Sequence, residues 1–120
     1  MEVRKFDIIS IDLNPAKGSS QAGVRPCVVL QSNIFNATSP TILVAPLTTN
    51  KTKLFPSEFM IYPSAHNGLR KESRFLGSQI TVVDKKFFRK KLGILEEQYH
   101  ILVQEALSVI FDMKNNFLYF

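Results

Sequence analysis

The sequence predicts a mainly β fold: a small barrel with a single C-terminal helix packed on its sheet. Three observations carry this. Short runs rich in β-branched and aromatic residues recur along the chain, turn residues separate them, and only Glu96 to Met113 has helical periodicity. Strands in succession followed by one helix argue against alternating βαβ units and for a closed or nearly closed antiparallel sheet.

The first run, Lys5 to Leu13, places Phe6, Ile8, Ile9, Ile11 and Leu13 in a mostly alternating pattern and stops at the turn signal Asn14-Pro15. Ala16 to Val24, with Gly18, Ser19, Ser20, Gln21 and Gly23, is too polar and glycine-rich for a core element and reads as a loop. Pro26 to Gln31 is a continuous apolar run of strand length, as expected of a strand buried on both faces, and it makes Cys27 inert packing. Ser32 to Pro40 reads as a polar connection, and Thr41 to Leu47 as another buried strand ending at the hydroxyl pair Thr48 and Thr49. Ser57 to Tyr62 alternates, Pro63 to Arg70 holds the turn residues Asn67 and Gly68, and Ser73 to Val83 reads as one longer strand. Asp84 is placed to cap a short helical turn before a brief strand, Lys90 to Leu95. In the helix, Tyr99, Leu102, Val103, Ala106, Leu107 and Ile110 recur at three- and four-residue steps and form the stripe expected to face the sheet.

A chain of 120 residues with 45% hydrophobic content is expected to form one domain over residues 1–120 with one core, which a second subunit would help to bury. No run approaches the roughly 20 apolar residues that span a bilayer. Glu2, Arg4, Lys5 and Asp7 stand where a secretory signal would carry its hydrophobic core, so a cytoplasmic protein with no membrane partner is expected. One cysteine and two histidines, His66 and His100, give no cluster with metal-ligand spacing, so neither metal nor cofactor is expected. The net charge of +5 favours a polyanionic partner, because each phosphate neutralised by Lys or Arg releases condensed counterions. The densest basic stretch, Lys85, Lys86, Arg89, Lys90 and Lys91 with Phe87 and Phe88 interleaved, has two readings: cations and stacking rings for a single strand, or a solvated edge strand guarded by lysine.

Five segments in order carry a resemblance. They are Phe6-Asp7-Ile8-Ile9-Ser10-Ile11-Asp12-Leu13-Asn14-Pro15, Gly18-Ser19-Ser20-Gln21-Ala22-Gly23-Val24-Arg25-Pro26, Val44-Ala45-Pro46-Leu47-Thr48-Thr49, Gly68-Leu69-Arg70-Lys71-Glu72-Ser73 and Gln79-Ile80-Thr81-Val82-Val83-Asp84-Lys85. Together they resemble the MazF/PemK toxins of type II toxin–antitoxin systems, whose fold is an SH3-like barrel shared with the CcdB gyrase poisons and with Kid. The resemblance implies a homodimeric, ribosome-independent endoribonuclease. Such an enzyme cleaves single-stranded RNA at a short sequence, leaves a 2′,3′-cyclic phosphate and a 5′-hydroxyl, and is restrained by a cognate acidic antitoxin laid over its basic groove.

It also implies site residues. Arg25 and Thr48 are the expected catalytic pair, and Ser19, Ser20, Gln21, Thr49, Ser78 and Gln79 the expected RNA contacts. The chemistry agrees, since attack by the 2′-hydroxyl on its own phosphorus obliges neither a protein nucleophile nor a metal. It requires charge stabilisation on the phosphorane oxygens, an orienting hydrogen bond and routes for two protons. A guanidinium offers a rigid fork to phosphate oxygens, and a threonine hydroxyl donates or accepts one bond. The bland readings are a salt-bridging arginine at the start of a buried strand and an ordinary β-branched strand residue. His66, in a turn, is expected to be an exposed loop histidine, and His100 is assigned no role.

The chain also departs from the family pattern. Ser20 and Ser78 replace the acidic residues usual before each Gln, Thr81 replaces the arginine after Gln-Ile, and Phe6 replaces the glycine before Asp7. Two alternatives stay open on this ground: a catalytically degenerate member that binds RNA or antitoxin without cutting, and a gyrase poison of the CcdB type. The second lacks support from the C-terminus, which ends Leu118-Tyr119-Phe120 with no tryptophan in the chain.

Overall fold

The computed structural model describes residues 1–13, 23–50 and 52–113. Within them β1 (Asp7–Asp12), β2 (Val24–Val29), β3 (Thr41–Thr48), β4 (Glu58–Ile61), β5 (Ser73–Leu76), β6 (Thr81–Asp84) and β7 (Phe88–Ile94) join in one barrel-like sheet. Its order is β4-β5-β3-β2-β1-β7, with β6 paired to β3 off that path, and the pairings are antiparallel. A one-turn helix α1 (Asn33–Asn36) interrupts the polar connection, and α2 (His100–Ile110) follows a 3-10 turn at Glu97–Tyr99. No helix among the described residues is long and apolar enough to cross a membrane.

Both faces of the central strands are apolar, and alternation sorts them into two cores. Ile8, Val28, Ala45 and Leu47 face one way, with Phe59, Phe75, Leu95 and the helix residues Tyr99, Val103 and Ala106. Ile9, Ile11, Cys27, Val29, Ile42 and Val44 face the other, with Val83 and the flanking Phe88. Ile8, Ile9 and Ile11 are fully enclosed, and each such side chain contributes roughly 1.5–3 kcal/mol by leaving water. The continuous apolar run at β2 is thus a strand buried on both faces, as its pattern predicts.

β3 is the element that both halves of the sheet share. Along one edge Thr41 to Val44 pair with β6, and Leu47 and Thr48 pair with β5. Pro46 falls in the gap between these two ladders, where that edge needs no amide donor from it. The expected single strand from Ser73 to Val83 is accordingly two strands. They are split by a 3-10 turn, Gly77–Gln79, that carries the chain across the gap. Gly77 permits this: its amide donates to the Ser57 carbonyl at 3.2 Å, and a Cβ on it would stand 2.3 Å from that oxygen.

Two ends of the fold differ from expectation. Asp84 does cap the 3-10 turn Lys85–Phe87, its carboxylate accepting from the Lys86 amide at 3.0 Å, but β7 begins at Phe88 rather than Lys90. His100 is half-buried and stacks on Phe6, ring centroids 3.7 Å apart and 8° from parallel. Phe6 holds φ at 72°, the left-handed backbone that a glycine adopts freely. Ring stacking and two backbone bonds, from its amide to Val29 and from Leu95 to its carbonyl, hold that geometry in place.

Substituting Gly77→Ala is expected to lower unfolding free energy by about 1–3 kcal/mol, because the added carbon meets backbone rather than a movable side chain. Urea denaturation checks this; an unchanged midpoint would show that the β4 end yields freely.

Candidate functional site

Arg25 lies near the start of β2, half-buried and across from Ile11 of β1. Thr48 ends β3, 6% exposed, across from Arg74 of β5. The β2–β3 ladder runs Val29 to Val44, Val28 to Ala45 and Cys27 to Pro46. Cys27 and Pro46 are the last pair of that ladder; the same register carried two residues on would set position 25 opposite position 48. Residues opposed across an antiparallel pair project to the same face. Arg25 continues the Cys27 and Val29 side of β2, and Thr48 the Ile42 and Val44 side of β3. Both therefore belong to the rim of the second core, where apolar packing gives way to polar groups.

The Thr48 hydroxyl accepts from the Asn50 amide at 3.2 Å. A threonine Oγ1 that accepts one bond keeps its own proton for donation, so this contact orients the side chain without consuming its donor. Arg25 makes itself felt at Cys27. Burial pushes that thiol up to about 12, against the partial opposition of the Arg25 charge. A fully enclosed thiol with this shift is packing, as its sequence context predicts, and not a nucleophile.

Thr49 is exposed and lines a cleft of about 440 Å³ with Pro63, Arg70, Lys71 and Glu72. Ser78 is exposed and Gln79 half-buried in the 3-10 turn that passes beside Ala45 and Pro46, so both stand near the Thr48 end of β3. Ser19, Ser20 and Gln21 lie outside the described residues, as does the tail Asn115 to Phe120. His66 is exposed, as expected of a turn. Among the described residues no group of three or more His, Cys, Asp or Glu side chains is placed to hold a metal ion.

The basic stretch follows the edge-strand reading. β7 closes one end of the strand order, Lys91 pairs with the buried Asp7 at 2.9 Å, Arg89 pairs with Asp12 at 3.0 Å, and Lys85 donates to the Asn36 carbonyl. Phe88 packs against the second core, leaving Phe87 as the more exposed of the two rings.

Two features escape sequence reasoning. Arg70 and Lys71 of the cleft appear in the sequence only as part of a motif, with no site assigned to them. Arg74, between Ser73 and Phe75 in a fully buried strand, forms an ion pair with Glu58 beside Thr48. A charge set among buried strand residues is the one signal that points to it.

Residues 4–111 match the family model described as PemK-like, MazF-like toxin of type II toxin-antitoxin system. The chain is 38% identical over 115 residues to the endoribonuclease MazF of Staphylococcus epidermidis, covering 94% of each. It superposes on the crystal structure of MazF from Deinococcus radiodurans with a TM-score of 0.78 at 21% identity, covering 94% of this chain and 99% of that one. A mycobacterial endoribonuclease solved in complex with its cognate antitoxin gives 0.77 at 17% identity, covering 94% and 98%.

Cys27 is expected to resist thiol reagents between pH 7 and 9 and to react only on unfolding. Its thiol ionises more readily in the unfolded chain, whose ordinary value is 9.0, than in the fold, where it lies at about 12. Stability from this group is thus intact below pH 9 and is lost as pH climbs toward 12. Labelling kinetics with and without urea would reveal any native reactivity that contradicts this.

Proposed function

The chain belongs to the PemK-like, MazF-like toxins of type II toxin–antitoxin systems and is an endoribonuclease of that family, and we propose that Arg25 and Thr48 make its cut. What supports this reading is the β2–β3 register, which ends at Cys27 across from Pro46 and, continued by two residues, would set positions 25 and 48 opposite each other. The substrate in this proposal is single-stranded RNA, and the partners are a cognate acidic antitoxin and a second copy of the chain. A cytoplasmic site of action suits that substrate.

In the reaction the 2′-oxygen bonds to phosphorus, the bond to the 5′-oxygen breaks, the 2′-hydroxyl loses its proton and the 5′-oxygen gains one. Products are a 2′,3′-cyclic phosphate and a 5′-hydroxyl. Arg25, charged at every relevant pH, meets the negative charge that grows on the non-bridging oxygens. Thr48, its Oγ1 steadied by the Asn50 amide, donates to one of those oxygens and fixes the phosphate for in-line attack. The cleft bounded by Thr49, Arg70 and Lys71 offers cations to a flanking phosphate, and Ser78 and Gln79 offer donors and acceptors to an unstacked base edge. Ser19, Ser20 and Gln21 belong to the same reading as further RNA contacts. The whole chain, residues 1–120, is taken as one unit of function.

Purified protein incubated with RNA in EDTA should yield cyclic-phosphate ends. Arg25→Ala should lower the rate roughly 100- to 1,000-fold, as removal of a charge-stabilising donor does elsewhere. Cutting that EDTA abolishes, or RNA binding with no cutting across many transcripts, would refute the proposal; the latter would mark a binding-only member.

A further inference from the structure

Arg74 stands directly across from Thr48 on one side and Met60 on the other, so its side chain shares the Thr48 face of the sheet. That side chain is 9% exposed and its partner Glu58 only 5%, with Nε and Oε1 3.6 Å apart. Arg74 Nε is fully enclosed and has no hydrogen-bond partner among the described residues. Desolvating two ions is costly, and an orphaned donor adds to the cost. Well-packed apolar side chains of similar size generally serve stability as well or better.

What the ions accomplish lies in their remaining bonds. Arg74 Nη1 donates to the Thr52 hydroxyl, and Glu58 Oε1 accepts the Phe55 amide at 3.2 Å. Thr48 Oγ1 accepts the Asn50 amide at the same distance, 3.2 Å. Three side chains on one face therefore hold the chain that leaves the end of β3. One of them is the hydroxyl assigned to the scissile phosphate. We propose that the Arg74–Glu58 pair is a clamp that positions Thr48 and the segment after it for cleavage, so that Arg74 is a positioning residue of the nuclease site. This rests on the assignment of Thr48 to the reaction. Arg74 acts through Thr48 and Thr52, because its side chain is only 9% exposed and faces the carboxylate of Glu58.

The test uses the full chain and single-turnover cleavage of a transcript that the wild type cuts. Arg74→Met/Glu58→Leu replaces the clamp by an apolar pair, and Thr52→Val removes one grip at an exposed position. The double variant should keep its melting temperature and bind RNA within about 2-fold of wild type. Its cleavage rate should fall roughly 10- to 100-fold, the scale of a small misplacement at a reacting centre. Thr52→Val should fall several-fold in single-turnover rate with RNA affinity unchanged. Wild-type rates in both variants, with Arg25→Ala inactive, would overturn the clamp and leave the site assignment standing. Wild-type rates in Arg25→Ala and Thr48→Ala would overturn the site assignment and the clamp with it. If the double variant does not fold, the rate of Thr52→Val decides: a drop supports the clamp and no change refutes it.

Discussion

The structure depends on one constraint: β3 must serve two partners along a single edge. A strand that pairs with β6 over its first half and with β5 at its end has to bend between them, and Pro46 occupies the place where the edge carries no ladder. From this follow the split of the later strand, the turn at Gly77 and the exit of the chain at Thr48. Thr48 and, directly across from it, Arg74 stand at the end of that shared strand. A binding surface built there inherits the rigidity of two ladders, which is what a site needs if it is to hold charged groups in fixed relation.

Composition and periodicity made the architecture legible where a physical pattern repeats. The unbroken apolar run of β2 and the helical stripe of α2 each state how many faces are buried, whereas β1, which reads as mostly alternating, is buried on both, with Ile8 in one core and Ile9 and Ile11 in the other. The failures occur where the decisive force is tertiary. Nothing local in Ser73 to Val83 says that its two halves pair with different stretches of β3, since a lone glycine inside an apolar run is weak punctuation. The one-turn helix Asn33–Asn36 is too short to show a period.

The candidate site is legible in a different way. A family pattern singles out Arg25 and Thr48, and chemistry says why those side chains suit the phosphodiester of the proposed reaction. Arg74 and Glu58 escaped because each, taken alone, looks like the solvent-facing member of an alternating strand. Only the sheet, which brings β4 beside β5, turns two apparently exposed charges into a buried pair.

Phe6 shows how a costly backbone geometry is absorbed. A bulky residue in left-handed backbone costs on the order of 1–2 kcal/mol where glycine costs nothing. Here the ring of His100 at the start of α2 lies flat against it. The two positions are therefore coupled energetically: losing the imidazole leaves the strain at position 6 with no ring to offset it, whereas a glycine there would make that ring dispensable, so the effects of changing the two do not add.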